Sequence, residues 1–152
     1  MATEIERKFL INHNKSIPFG KGVKMVQAYL CADKSRTVRV RIAGDQGFLT
    51  IKGPTQGVSR KEFEYEIPVA EAIELLPLCD AVVEKIRHCI SYQGKVWEVD
   101  VFSGDNDGLI LAEIELSSED EKFELPEWIG EEVSGDKRYF NSYLSRIPFK
   151  NW

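Results

Sequence analysis

Cysteine is scarce in this chain. Cys31, Cys79 and Cys89 are odd in number and show no C-x-x-C spacing, so neither a disulfide framework nor a thiolate zinc site is indicated. Histidine is scarcer still, with only His13 and His88. That leaves little material for a histidine-rich metal site. A Ser–His–Asp triad would have to use one of the two, and neither sits in a recognisable nucleophile context. No apolar run approaches the roughly 20 residues that span a bilayer. The N-terminus carries acids where a secretory signal would be basic and then apolar. A cytoplasmic protein with no membrane partner is therefore expected. An excess of basic charge is also missing: 20 Lys and Arg stand against 25 Asp and Glu, a net charge of −5. This argues against a nucleic-acid partner, whose phosphates demand a basic face. Repeats, low-complexity tracts and linker-like stretches are absent too, so residues 1–152 read as a single domain long enough for a real core.

What is present is alternation. Segments 4–11, 25–31, 36–43, 47–52, 61–69, 83–92, 95–102 and 109–116 alternate apolar and polar residues with period two, as strands with unlike faces do. Turn chemistry separates several of them, and the short Gln93-Gly94 link predicts a hairpin. Three stretches read as helical: Val69 to Leu78; Ser117 to Phe123, which opens with a capping serine and acids; and Lys137 to Ser145 after Ser134-Gly135-Asp136. The order implies an α+β fold, mainly antiparallel β, with a few helices packed outside the sheet. Closure into a barrel would remove exposed edges.

The charged positions carry the functional signal. Taken strand by strand, one parity presents Glu4, Glu6 and Lys8; Arg39 and Arg41; Lys52; Glu62, Glu64 and Glu66; Lys85 and Arg87; Glu98 and Asp100; and Glu113 and Glu115. The wet face of an open sheet would also carry alternating charge. Solvated strands usually mix signs, however, because like charges side by side repel. Here most of the pairs are of one sign. Acids in blocks suit hard divalent cations such as Mg²⁺ or Mn²⁺, which take oxygen ligands. Bases in blocks suit an oxyanion of several charges, which Arg meets with a planar fork and Lys with a point charge. Glu4 and Glu6 repel each other until a cation sits between them.

These residues, in this order, resemble the CYTH family, the triphosphate tunnel metalloenzymes. The N-terminal E-x-E-x-K is Glu4-Ile5-Glu6-Arg7-Lys8, followed by R-x-R (Arg39, Arg41), Lys52, E-x-E (Glu62, Glu64), K-x-R (Lys85, Arg87), Asp100 and a second E-x-E (Glu113, Glu115). The C-terminal Asp136-Lys137-Arg138-Tyr139 resembles the family segment that supplies a further base, Lys137. The resemblance implies a closed eight-stranded antiparallel barrel whose lumen is a charged tunnel. It implies Mg²⁺ or Mn²⁺ as cofactor and a small-molecule triphosphate as substrate. The compact length and Gln27-Ala28-Tyr29-Leu30 look most like the small bacterial inorganic tripolyphosphatases, in which a tyrosine at this place pairs with the lysine; a Tyr29–Lys8 dyad is the implied catalytic pair.

On that resemblance Glu4, Glu6, Glu113 and Glu115, with Glu64 or Asp100, would ligate metal. Lys8, Arg39, Arg41, Lys52, Lys85, Arg87 and Lys137 would hold the triphosphate and offset charge as water attacks the terminal phosphorus. Fold alone leaves other outcomes open: a class IV-type adenylyl cyclase, a thiamine or nucleoside triphosphatase, or a non-catalytic polyphosphate- or nucleotide-binding module. A homodimer is equally left open.

Overall fold

The alternating segments become strands close to their expected bounds. In the computed structural model, which describes residues 2–152, β1 (Thr3–Ile11), β2 (Gly22–Ala32), β3 (Thr37–Ala43), β4 (Gln46–Lys52) and β5 (Ser59–Ile67) come first. Then α1 (Val69–Leu75) precedes β6 (Val82–Tyr92), β7 (Lys95–Ser103), β8 (Ile110–Glu115), β9 (Ile129–Glu132) and α2 (Asn141–Arg146). All pairings are antiparallel, in the order β5-β4-β3-β2-β6-β7-β8-β1-β9, with β5 also pairing β1. That extra pairing closes eight strands into a barrel. It is short: Thr3, Glu4 and Ile5 lie opposite Lys61, Arg60 and Ser59. Further along the same edge, β1 exchanges β5 for β9, with Phe9 opposite Glu132. β9 does not alternate in sequence and owes its existence to this vacated edge.

Two local expectations hold and two change. Gln93 and Gly94 both take positive φ, 48° and 77°, as a tight hairpin between right-twisted strands requires. α1 forms as read up to Leu75 and then tightens into a single 3-10 turn, Leu76–Leu78, at Pro77. Ser117 to Phe123 is not a helix. Its acids bond locally instead, the Ser117 amide donating to the Glu121 carboxylate at 2.6 Å. Phe123 leaves the turn to pack edge-on against Phe9 and Trp97. The C-terminal helix begins at Asn141 rather than Lys137, because Phe140 is extended (ψ 135°) and separates a 3-10 turn, Lys137–Tyr139, from α2.

The core has two parts. Outside the barrel, Trp97, Val99, Ala112, Ile114, Phe9 and Ile90 are covered by Leu116 and Trp128, with Phe123 packed against them. At one end of the lumen, Val83, Phe102 and Leu111 meet Tyr139 and Leu144 from the C-terminal segment, and that end is filled. On a third side α1 approaches β4 so closely that a Cβ on Gly47 would lie 2.9 Å from Ala72 Cβ. No helix among the described residues is long and apolar enough to cross a membrane.

Candidate active site

The polar parity of the strands faces inward and lines one cavity of about 220 Å³. β1 contributes Glu4, Glu6 and Lys8; β3, Arg39 and Arg41; β4, Lys52; β5, Glu62 and Glu64; β6, Lys85 and Arg87; β8, Glu113 and Glu115. Register explains the convergence. Glu6 and Lys8 stand opposite Glu115 and Glu113 across the β1–β8 ladder. Lys52 and Thr50 stand opposite Glu62 and Glu64 across β4–β5.

Within the cavity acids and bases pair with one another. Lys52 Nζ lies 2.9 Å from Glu4 Oε1 and 3.3 Å from Glu62 Oε2. Arg39 Nη2 lies 3.4 Å from Glu64 Oε2 and donates to Thr50 Oγ1 at 3.1 Å. Arg87 forks onto Asp100, Nε to Oδ1 at 2.8 Å and Nη2 to Oδ2 at 2.9 Å, and Nη1 reaches Glu98 at 3.1 Å. Lys8 Nζ donates to the Tyr139 carbonyl at 2.9 Å and lies 3.6 Å from Glu113. Such pairs roughly offset their own desolvation. A cation drawing the carboxylates and a polyanion drawing the bases would exchange internal partners for external ones at modest net cost.

Burial and neighbouring charges shift the groups of the cavity in different directions. Burial pushes the Glu6 carboxyl well above the usual range, and neighbouring Glu113 and Glu4 push it further. Glu4 is raised by burial as well, against the pull of Lys52. Crowded hard oxygens that resist ionising side by side are the donor set a divalent cation fits. Among the described residues, no three carboxylates already form a closed cage, as their pairing with bases explains. On the basic side, burial lowers Arg41 to about 9, assisted by Arg39 and Arg87. It lowers Lys85 to about 7 despite Asp100. Excess positive charge is concentrated there.

Two expected site residues, Asp100 and Lys137, lie outside the cavity, and a third, Tyr29, lines it without a bond to Lys8. Asp100 does not line the cavity; it is fully buried, and its oxygens are taken by Arg87 and by Lys85 at 2.8 Å. Burial raises its pKa, but Lys85 and Arg87 outweigh that and hold it below the ordinary value. Lys137 is exposed and outside the cavity, because its 3-10 turn is oriented by burial of Tyr139 two residues on. Tyr29 lines the cavity opposite Arg39 in register. No hydrogen bond joins it to Lys8 among the described residues; Lys8 Nζ donates to the Tyr139 carbonyl.

Other residues of the cavity escaped the sequence reading. Arg60 lines it because β5 begins two residues before the strand expected at 61; its parity with Glu62 was the available signal. Glu98 shares the parity of Asp100 and is the one that reaches the cavity. Phe140 and Asn141 also line the cavity, and Gln27 is buried in the wall behind it; none carries charge, so charge alternation does not mark them.

A barrel of antiparallel strands lined by opposed acids and bases defines a polyanion-handling protein, and comparison with known proteins gives the family. The CYTH domain model matches residues 2–142, and the chain belongs to that family. Membership implies a divalent metal. An inorganic triphosphatase of Acetivibrio thermocellus is 49% identical over 154 residues, spanning 100% of this chain and 99% of its own. An inorganic triphosphatase of Nitrosomonas europaea is 40% identical, spanning 94% and 97%. The crystal structure of an inorganic triphosphatase superposes with a TM-score of 0.67 at 38% identity, covering 95% of both chains.

Proposed function

We propose that this protein is a hydrolase that removes the terminal phosphate of a triphosphate, inorganic tripolyphosphate in the first instance, with Mg²⁺ or Mn²⁺. The observation that carries the reading is the meeting, in one cavity of about 220 Å³, of a carboxylate cluster in which Glu4 and Glu6 resist ionising and a base cluster in which Arg41 and Lys85 resist remaining charged. The relatives named above as inorganic triphosphatases support the same substrate class.

In this reading Arg39, Arg41, Lys52, Lys85, Arg87 and Lys8 hold the phosphoryl oxygens and offset the charge that spreads over them in the transition state. Glu4, Glu6, Glu113 and Glu115 are the residues that would hold the metal, with Glu64 at the edge of the set. A divalent ion there would supply Lewis acidity, offsetting phosphoryl charge and acidifying water. Water attacks the terminal phosphorus and the bridging P–O bond breaks, giving orthophosphate and pyrophosphate. Asp100 orients Lys85 and Arg87, and Lys137 has no part in the step.

The test is phosphate release from tripolyphosphate, thiamine triphosphate, ATP, GTP and pyrophosphate, each with Mg²⁺, with Mn²⁺ and with EDTA. Turnover of tripolyphosphate that EDTA abolishes is expected. Cyclic AMP and pyrophosphate from ATP would make it a cyclase, and tight binding without turnover would make it a binding module.

A further inference from the structure

Four of the cavity's cations, Lys8, Lys52, Arg39 and Arg87, lie within ion-pair distance of carboxylates that line the cavity. Arg41 is different. Among the described residues it has no carboxylate at ion-pair distance, and its Nε donates to Gln27 Oε1 at 2.9 Å. Gln27 is fully buried in the barrel wall. Its Nε2 donates to Asn141 Oδ1 at 3.0 Å, and that same oxygen accepts from Lys85 Nζ at 2.8 Å. Arg41 on β3 and Lys85 on β6 are thus joined, across β2, by two neutral amides, one of which opens α2.

Chemistry allows only one orientation of these amides. Arg and Lys are donors without acceptors. An oxygen of Gln27 must therefore face Arg41, and an oxygen of Asn141 must face Lys85. The Gln27 amide nitrogen is then left to face Asn141 Oδ1, where a donor is wanted. Reversing either amide would set donor against donor in a buried place. Neutrality matters as much as direction. Lys85 already has the Asp100 carboxylate at 2.8 Å, whereas Arg41 has no carboxylate partner among the described residues; a carboxylate in place of either amide would add negative charge beside bases that a polyanion needs.

We infer that Gln27 and Asn141 are positioning residues of the anion site: a neutral amide bridge that fixes Arg41 and Lys85 without neutralising them and makes the start of the C-terminal helix part of the triphosphate-binding apparatus. The inference rests on the proposed reading of these bases as the holders of the triphosphate.

Steady-state kinetics on tripolyphosphate test it, with wild type and Arg41→Ala as references. Arg41→Ala should raise KM; if it does not, or if wild type fails to turn tripolyphosphate over, the underlying reading falls and the bridge with it. Asn141→Leu removes the shared acceptor and should raise KM about tenfold or more, the usual worth of a hydrogen bond to a charged group, while kcat changes several times less. Gln27→Met cuts the bridge from the barrel side, leaves α2 untouched, and should move KM in the same direction; it keeps the test decisive if Asn141→Leu does not fold. In a Lys85→Met background, Asn141→Leu should add less than about twofold, since partners in one network are not additive. If Arg41→Ala raises KM while Gln27→Met leaves it unchanged, the inference is overturned. Full additivity of Asn141→Leu with Lys85→Met overturns it as well.

Discussion

Along β6 the inward positions run Val83, Lys85, Arg87, and along β7 they run Phe102, Asp100, Glu98. β8 gives Leu111, Glu113, Glu115, and β1 gives Leu10, Lys8, Glu6, Glu4. Each of four neighbouring strands therefore changes chemistry midway along one face. The apolar end is filled by its own side chains and by Tyr139 and Leu144, and its largest member, Phe102, is 2% exposed. The charged end holds open a cavity. One end stores stability and the other stores electrostatic tension that ligands can relieve. Lys85 marks the boundary, with its ammonium 5.5 Å from the Phe102 ring and bonded to Asp100 and Asn141 on its other sides.

The largest expected effect breaks the stabilising end. Phe102→Ala removes a buried ring from a packed cluster, and such truncations cost about 3–5 kcal/mol. For a domain of this size that lowers the melting temperature by on the order of 10 °C. Thermal melts followed by circular dichroism would show it. A shift within a degree or two of wild type would mean that the apolar end is not a second core.

Next in size is an isosteric change at the charged end. Glu6→Gln keeps the shape, and the expected loss of metal-dependent turnover is about a hundredfold or more, or roughly 2.7 kcal/mol of transition-state stabilisation, with the melting temperature of the metal-free protein unchanged or raised. The sign follows from the raised Glu6 carboxyl. Between the ordinary value of 4.5 and its raised folded value, the folded state holds a proton that the unfolded state has lost. The metal-free fold thus loses stability as pH rises through that window, and a cation that displaces the proton restores it. Metal titrations by calorimetry in buffers of different ionisation enthalpy should show proton release in wild type and less of it in Glu6→Gln. Equal release in both would place the cation elsewhere.

How far this contrast was legible in the sequence depends on what kind of signal each residue leaves. Parity alone placed Glu4, Glu6, Lys8, Arg39, Arg41, Lys52, Lys85, Arg87, Glu113 and Glu115 on one face, and closure brings that face around a single cavity. Parity could not separate Glu98 from Asp100. Both point inward, and only the depth at which Arg87 and Lys85 enclose Asp100 removes it from the cavity. The apolar end went unread because Val83, Phe102 and Leu111 look like ordinary strand residues until the C-terminal segment packs over them. β9 depends on an edge that β5 abandons, and the turn at Ser117 depends on Phe123 finding Trp97. These are tertiary facts. Gln27 and Asn141 are uncharged, so charge patterning does not mark the two residues that link Arg41 to Lys85.

The smallest expected effect sharpens the distinction between the two faces of one strand. Arg7 lies between Glu6 and Lys8 in sequence, yet its side chain points out of the barrel. It forms a two-pronged pair with Glu132 of β9, at 2.8 and 2.6 Å, and lies over the Phe123 ring at 5.0 Å. A partly exposed pair of this kind contributes about 0–1 kcal/mol, and the ring contact adds a fraction more. Arg7→Ala should therefore lower the melting temperature by no more than a few degrees, and high salt should shrink the difference by screening the pair in wild type. Both kcat and KM on tripolyphosphate should remain within about twofold of wild type, since the guanidinium never enters the cavity. An Arg7→Ala enzyme that loses as much turnover as Glu6→Gln would mean that β1 has slipped by one residue, which would turn every side chain of the E-x-E-x-K motif to the opposite face.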